Sequence, residues 1–224
     1  MKISIHQSQY LPWPAYFKKI AMSDKFVILD NVQFQKNGVQ NRNKLRNKNG
    51  EFWITIPLSG SMKEKINEKK CSNEKWKKKH FQSITQSYSK CSFWEEHKVA
   101  LEDLYANSNE YLNDINISFI KYFISEMDFE TELHLASQLD AEGSKSDLVL
   151  NICKELSATE YISGLGSKDY LDLDSFTRNS IEVKFLESMN PSYEQIHGEF
   201  IPNLSLIDML MNVPKKNIKS YMYQ

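Results

Sequence analysis

Met1-Lys-Ile-Ser-Ile-His-Gln-Ser-Gln-Tyr-Leu-Pro-Trp-Pro-Ala-Tyr-Phe-Lys-Lys-Ile-Ala-Met-Ser-Asp-Lys-Phe-Val-Ile-Leu-Asp30 is the stretch that decides the fold. Ile3 and Ile5 alternate with polar neighbours, the period of a strand with one buried face. Leu11-Pro12-Trp13-Pro14 then stops regular pairing, because proline has no amide hydrogen to donate. A helix can start near Pro14, whose fixed φ suits a first turn, with Tyr16, Phe17, Ile20 and Ala21 on one face. Lys25-Phe-Val-Ile-Leu-Asp30 is a short apolar run ending in a polar residue, the pattern of a strand covered on both sides. Strand, loop, helix and buried strand in this order make a β-loop-α-β unit, which places two strands in parallel.

The same grammar continues outward. Phe52, Ile54 and Ile56 supply another alternating strand. Residues 63–79 are highly charged, and from Trp76 to about Met127 the period is helical. Trp76, His80, Ile84 and Tyr88 share one face there, and Ile117, Ile120 and Ile124 belong to another helix. Thr131 to Ala136 reads as a strand, and Leu148, Ile152 and Leu156 form a helix stripe opened by Ser144, Ser146 and Asp147. Tyr161-Ile-Ser-Gly164 closes a strand, Tyr170 to Phe176 reads as helix, and Ile181, Val183 and Phe185 alternate again. A last helix covers Leu204 to Met211 after Pro202-Asn203. The expectation is one α/β domain over residues 1–224, with three layers about a mostly parallel, Rossmann-like sheet. A helical subdomain at 63–128 is inserted within it.

Composition agrees with a packed core: 224 residues, 41% of them hydrophobic, exclude a disordered chain. Seven Gly and six Pro exclude a collagen-like or low-complexity one. The formal charge of -1 hides a split: residues 1–80 carry 17 basic and 6 acidic side chains, and residues 81–224 carry 11 and 23. Such asymmetry points to an anionic partner for the basic half. The run Lys75, Lys77, Lys78 and Lys79 around Trp76 could meet nucleic acid or, peripherally, an anionic membrane, or could simply be solvated. Met1 to His6 shows no apolar signal segment, and Cys71, Cys91 and Cys153 are odd in number with no Cys-x-x-Cys pair, so a reducing cytoplasm is expected. Cys71, His80, Cys91 and His97 match no zinc spacing, and no metal is expected.

In open parallel sheets ligands bind beyond the carboxyl ends of the strands. That rule selects four segments: 6–13, 30–46, 163–170 and the loop beyond Phe185. His6 follows the first strand and could be a general base, with a pKa near neutral, or a cap for loop carbonyls. Only three arginines stand against 25 lysines, yet Arg42 and Arg46 both fall in the second segment. Their planar forks suit phosphate or carboxylate, or else ion pairs with the acidic half. Asp30 could orient a sugar hydroxyl, an amine or a histidine, or cap the following turn. Ser163-Gly164-Leu-Gly-Ser-Lys168 puts two glycines between a strand and an expected helix, with Lys168 in its first turn, where a phosphate could approach. The P-loop spacing is absent.

These residues resemble the WbqC-like family of bacterial proteins over nearly the whole chain. The likeness rests on His6-Gln-x-x-Tyr-Leu-Pro-Trp13, Tyr16-Phe-x-Lys-Ile20, Ser23-Asp-x-Phe-Val27, Asp30-x-Val-Gln33 and Asn41-Arg-Asn43. It continues through Trp76-x-Lys-x-His-x-x-x-Ile84, Tyr161-Ile-Ser-Gly164, Lys168-Asp-Tyr-Leu-Asp172 and Phe200-x-Pro-x-Leu-Ser205. Ser8, Ala15 and Asn31 depart from the family's usual proline, glycine and second aspartate. The resemblance implies a role in O-antigen or other surface-polysaccharide assembly, with glycine transfer suggested for the family. On that reading an aminoacyl group passes to the amine of a nucleotide-linked or lipid-linked amino sugar. The activated donor could be an aminoacyl-tRNA, a carrier-protein thioester or an adenylate. His6 would be the base and Arg42 and Arg46 the diphosphate ligands, with Asp30 and Gln33 placing hydroxyls or the amine. Gln7, Tyr10, Trp13, Asn41, Ser163, Gly164, Lys168 and Tyr170 would complete the binding set. Two other classes stay open: a nucleotidyl-transferring enzyme, though Gln9 stands where a second histidine would be needed, and a non-catalytic nucleotide-sugar-binding protein.

Overall fold

A computed structural model describes residues 1–187 and 191–223. A five-stranded, wholly parallel sheet contains β1 (Lys2–Gln7), β2 (Lys25–Leu29), β5 (Glu132–Leu135), β6 (Glu160–Gly164) and β7 (Glu182–Leu186) in the order β5-β2-β1-β6-β7. β3 (Arg42–Asn47) and β4 (Gly50–Thr55) form a separate antiparallel hairpin. The opening stretch folds as its pattern dictates. Helix α1 (Pro14–Ala21) starts on Pro14 and buries Tyr16, Phe17 and Ile20, and β2 buries Phe26, Val27 and Ile28.

Alternation along the strands divides the core in two. Phe26 and Ile28 of β2 face α1 together with α2 (Lys75–Tyr88), α3 (Trp94–Ala106), α4 (Leu112–Glu126), α7 (Leu206–Asn212) and α8 (Lys215–Tyr221). Ile3, Ile5 and Val27 face α5 (Lys145–Glu155) and α6 (Leu173–Arg178) on the other side. The fold is therefore Rossmann-like α/β, with helices on both faces of the sheet. No helix among the described residues is long and apolar enough to cross a membrane.

Several local expectations change. The segment 30–46 is not all loop, since Arg42–Asn47 pairs with Gly50–Thr55 and the hairpin buries Leu45 and Ile54 in the first core. Its turn ends on Gly50 at φ +109°, a backbone region that side chains disfavour. The helical period beyond Trp76 resolves into three helices, and α6 starts at Leu173 rather than at Tyr170. Lys168 is not in a helix's first turn; it closes the 3-10 turn Leu165–Ser167 that follows β6. The last helix begins at Leu206, and α8 follows it after Pro214, whose missing amide and fixed φ separate the two.

Candidate functional site

The sheet opens at one place. The β1–β2 ladder runs to Gln7↔Leu29 and the β6–β7 ladder to Gly164↔Leu186, but β1 and β6 pair only as far as Ser4↔Ile162. Beyond that point the carboxyl ends of the two central strands diverge. Here the strand order also reverses, with later strands added outward on either side of β1, so a crevice is expected there. A cleft of about 510 Å³ occupies the split. β1 contributes Ile5, His6 and Gln7, the following loop Trp13, and α1 contributes Ala15, Tyr16, Lys18 and Lys19. Ser163 to Ser167 supply the opposite wall, with Tyr170 and Glu187 at the rim.

His6 lies edge-on to Tyr16 with ring centroids 5.0 Å apart. Its Nδ1 is 3.2 Å from the Gln7 carbonyl and 3.4 Å from the Gln9 amide. Assigning the proton to Nδ1 serves the shorter contact and leaves Nε2 as an acceptor. The imidazole is not poised near neutral pH. Burial, and then the charge of Lys19, push its pKa down to about 3, against a weaker opposing bond to the Gln7 carbonyl. Burial likewise pushes Lys19 down to about 8. The cleft thus holds a neutral imidazole beside an ammonium that releases its proton readily. The Tyr16 hydroxyl donates to the Gln7 carbonyl at 3.3 Å, and Gln7 Oε1 accepts from Gln40 at 2.8 Å, which fixes the floor of the cleft.

Six residues selected from sequence meet in this cleft: His6, Gln7, Trp13, Ser163, Gly164 and Tyr170. The others lie elsewhere. Tyr10 is fully buried, its hydroxyl bonded to His80 Nδ1 at 2.9 Å and to the Tyr105 hydroxyl at 2.6 Å. Asp30 is buried and accepts from the Ser137 amide and hydroxyl at 2.9 and 2.7 Å and from Asn113 at 3.3 Å, tying the end of β2 to the turn after β5 and to α4. Gln33 bonds the Met62 carbonyl, and Asn41 the Ile56 carbonyl. Arg42 caps the Gly38 carbonyl and stacks 4.5 Å over Trp53. Arg46 is buried on Gln195, with its charge felt by Asp208. Lys168 lies over Phe185. Of the loop beyond Phe185, Glu187 reaches the cleft, and residues 188–190 lie outside the described residues.

Sequence reasoning gave Lys18, Lys19 and Tyr16 no place in the site, although Tyr16 and Lys19 stand in the motif Tyr16-Phe-x-Lys-Ile20. The signal was the helical spacing Trp13, Tyr16, Lys19, which runs three residues at a time along one edge of the α1 stripe. A second cavity, about 420 Å³, lies between the hairpin turn and α2 and includes Lys48, Phe52, Lys90 and His197. None of the residues selected from sequence lines it. Among the described residues no group of three or more His, Cys, Asp or Glu is placed to hold a metal.

The model of the WbqC-like protein family matches residues 7–220. The chain belongs to this family. An uncharacterized protein of Mycobacterium tuberculosis is 31% identical over 216 residues, which cover 95% of this chain and 94% of that protein. No solved structure matches the chain. The WbqC-like match begins one residue after His6 and takes in Lys19, Ser163, Gly164 and the rest of the cleft wall.

Proposed function

We propose that this WbqC-like protein is an enzyme of surface-glycan assembly that transfers an aminoacyl group, glycyl, to the amine of an amino sugar bound in the β1–β6 cleft. The observation that carries the reading is the neutral His6 imidazole at the point where the sheet divides, with Nε2 free to accept a proton. The amine nitrogen attacks the activated acyl carbon, a C–N bond forms, and the bond from that carbon to the donor's oxygen or sulfur breaks. The proton shed by the nitrogen passes to His6 Nε2 and on to the leaving group. In the empty cleft His6 is a weak base, and an anionic group of the substrate seated near Lys19 offsets the charge that helps to lower it. Trp13 and Tyr170 line the cleft and supply aromatic surface for the sugar, while the Ser163 and Ser167 hydroxyls bond each other and shape the opposite wall. Asp30 acts at a distance, by fixing the end of β2 beside the cleft floor.

The test is incubation with a uridine-diphosphate-linked amino sugar and, in separate reactions, glycyl-tRNA, a glycyl carrier thioester or glycine with ATP. A product heavier by one glycyl residue is expected with one donor, and His6→Gln should slow its formation by about 10²–10⁴-fold. Absence of product with every donor, or an unaffected His6→Gln, refutes the reading. Magnesium-dependent release of pyrophosphate from ATP without glycyl transfer would instead identify a nucleotidyl-transferring enzyme.

A further inference from the structure

We propose that Lys19 and Gly164 together form a phosphate-binding notch at the mouth of the split between β1 and β6. Gly164 leaves the space that the Lys19 ammonium occupies, and that ammonium takes the phosphate of the bound ligand. This deepens the functional reading above by naming the ligand class and the group that holds it.

The geometry starts at Gly164. A Cβ built there would stand 3.1 Å from Lys19 Nζ and 3.2 Å from Cε, tighter than most packing contacts, so a side chain on β6 would push the end of the α1 lysine aside by a few tenths of an ångström. Among the described residues the ammonium makes no ion pair or hydrogen bond, although it is half-buried. A cation taken largely out of water without a counter-charge is costly, and its depressed pKa records that cost. A bound anion removes it. The neighbouring wall leaves room for compact oxygens: the Ser163 and Ser167 hydroxyls bond each other and Ser167 donates to the Gly164 carbonyl, which holds the turn in place, and the space where a side chain of Gly166 would project is open. A compact phosphate suits an ammonium point charge in an open notch better than a planar carboxylate, which favours a guanidinium fork.

The notch is coupled to His6. Lys19 is the charge that lowers the imidazole, so an anion seated on it makes His6 more basic when the ligand is present. The other titratable groups facing the same space are Tyr16 and Lys18 of α1, Tyr161 of β6, and Tyr170 and Glu187 at the rim. Glu187 is the one carboxylate among the described residues lining the cleft, and it is exposed.

The experiment is calorimetric titration of the intact chain with inorganic pyrophosphate at pH 7, on the wild type, Lys19→Met, Gly164→Ala and the double variant. Saturable wild-type binding is expected, at least tenfold weaker in Lys19→Met and several-fold weaker in Gly164→Ala. The double variant should be no weaker than Lys19→Met alone, since the added methyl acts only by displacing the lysine. Near-ultraviolet circular dichroism establishes folding, and Lys19→Gln replaces Lys19→Met if the latter does not fold. No wild-type binding, wild-type affinity in the lysine variants, or additive losses in the double variant overturns the proposal. Lys19-dependent binding without glycyl transfer leaves the notch standing and removes the transferase reading; transfer without Lys19-dependent binding does the reverse.

Discussion

Replacing His6 by Gln should make the protein less sensitive to acid. In the folded state the imidazole is held neutral down to about pH 3, whereas in the unfolded chain it regains its ordinary value of 6.5. Between those limits the unfolded state binds a proton that the folded state does not, so stability rises with pH through this window and falls as pH drops from 6.5 towards 3. At pH 5 the separation from the unfolded value is about 1.5 pH units, worth about 2 kcal/mol at 1.36 kcal/mol per unit. That is an upper figure, because the open side of the cleft lets solvent relieve part of the burial. His80, pushed down to about 4 by burial, and His97, also lowered by burial, add slope of the same sign, so only the difference between variant and wild type isolates His6. Urea unfolding at pH 8, 6.5 and 5 is the assay. The wild type should lose up to about 2 kcal/mol more than His6→Gln between pH 8 and 5, with equal m values. Parallel losses, or an NMR titration of the folded His6 centred near pH 6.5, would refute the burial argument.

Two further substitutions separate scaffold from site. Asp30→Ala strips the acceptor from the Ser137 amide and hydroxyl and from Asn113, and should lower stability by about 2–4 kcal/mol in urea unfolding; an unchanged unfolding midpoint with activity lost would place the carboxylate in the chemistry. Arg46→Met removes a buried guanidinium that bonds Gln195 and offsets Asp208, and should cost about 3 kcal/mol of stability while leaving pyrophosphate affinity unchanged. The opposite pattern would restore Arg46 as a ligand-binding group.

The strands of the sheet were legible because periodicity is a local property. Ile3 with Ile5, the apolar run of β2, and Val183 with Phe185 each declare a buried face within a few residues. Placing ligands beyond strand ends then found His6, Gln7, Ser163 and Gly164. Charge was harder to read. Scarcity drew attention to Arg42 and Arg46 as forks for an anion or for ion pairs, but what packs against the hairpin is backbone carbonyls and Trp53 around one and Gln195 around the other. Asp30 carried the same ambiguity between ligand and cap, and its partners come from residues 83 and 107 positions away in the chain. Lys19 was hidden for the opposite reason. A lysine beside the apolar stripe of an amphipathic helix reads as solvent-facing, and only the parting of β1 from β6, with a glycine at the facing position, turns it inward.

On the proposal made above, that parting is also what suits the cleft to anionic ligands. Two groups that are bases in water line it, and burial drives both towards their uncharged forms. Holding Lys19 protonated at neutral pH carries a desolvation cost in the empty protein, which its lowering to about 8 reflects. A neutral sugar leaves that cost in place. A phosphate removes much of it while shielding His6 from the same charge, so binding of the acceptor and activation of the base become one electrostatic event. On the same proposal the basic excess of residues 1–80 does not select the substrate. Much of it lies on exposed faces or in ion pairs such as Lys44–Glu51 and Lys70–Glu110, where water screens it. The selective charge is the one the fold has partly withdrawn from solvent, on α1, against a glycine.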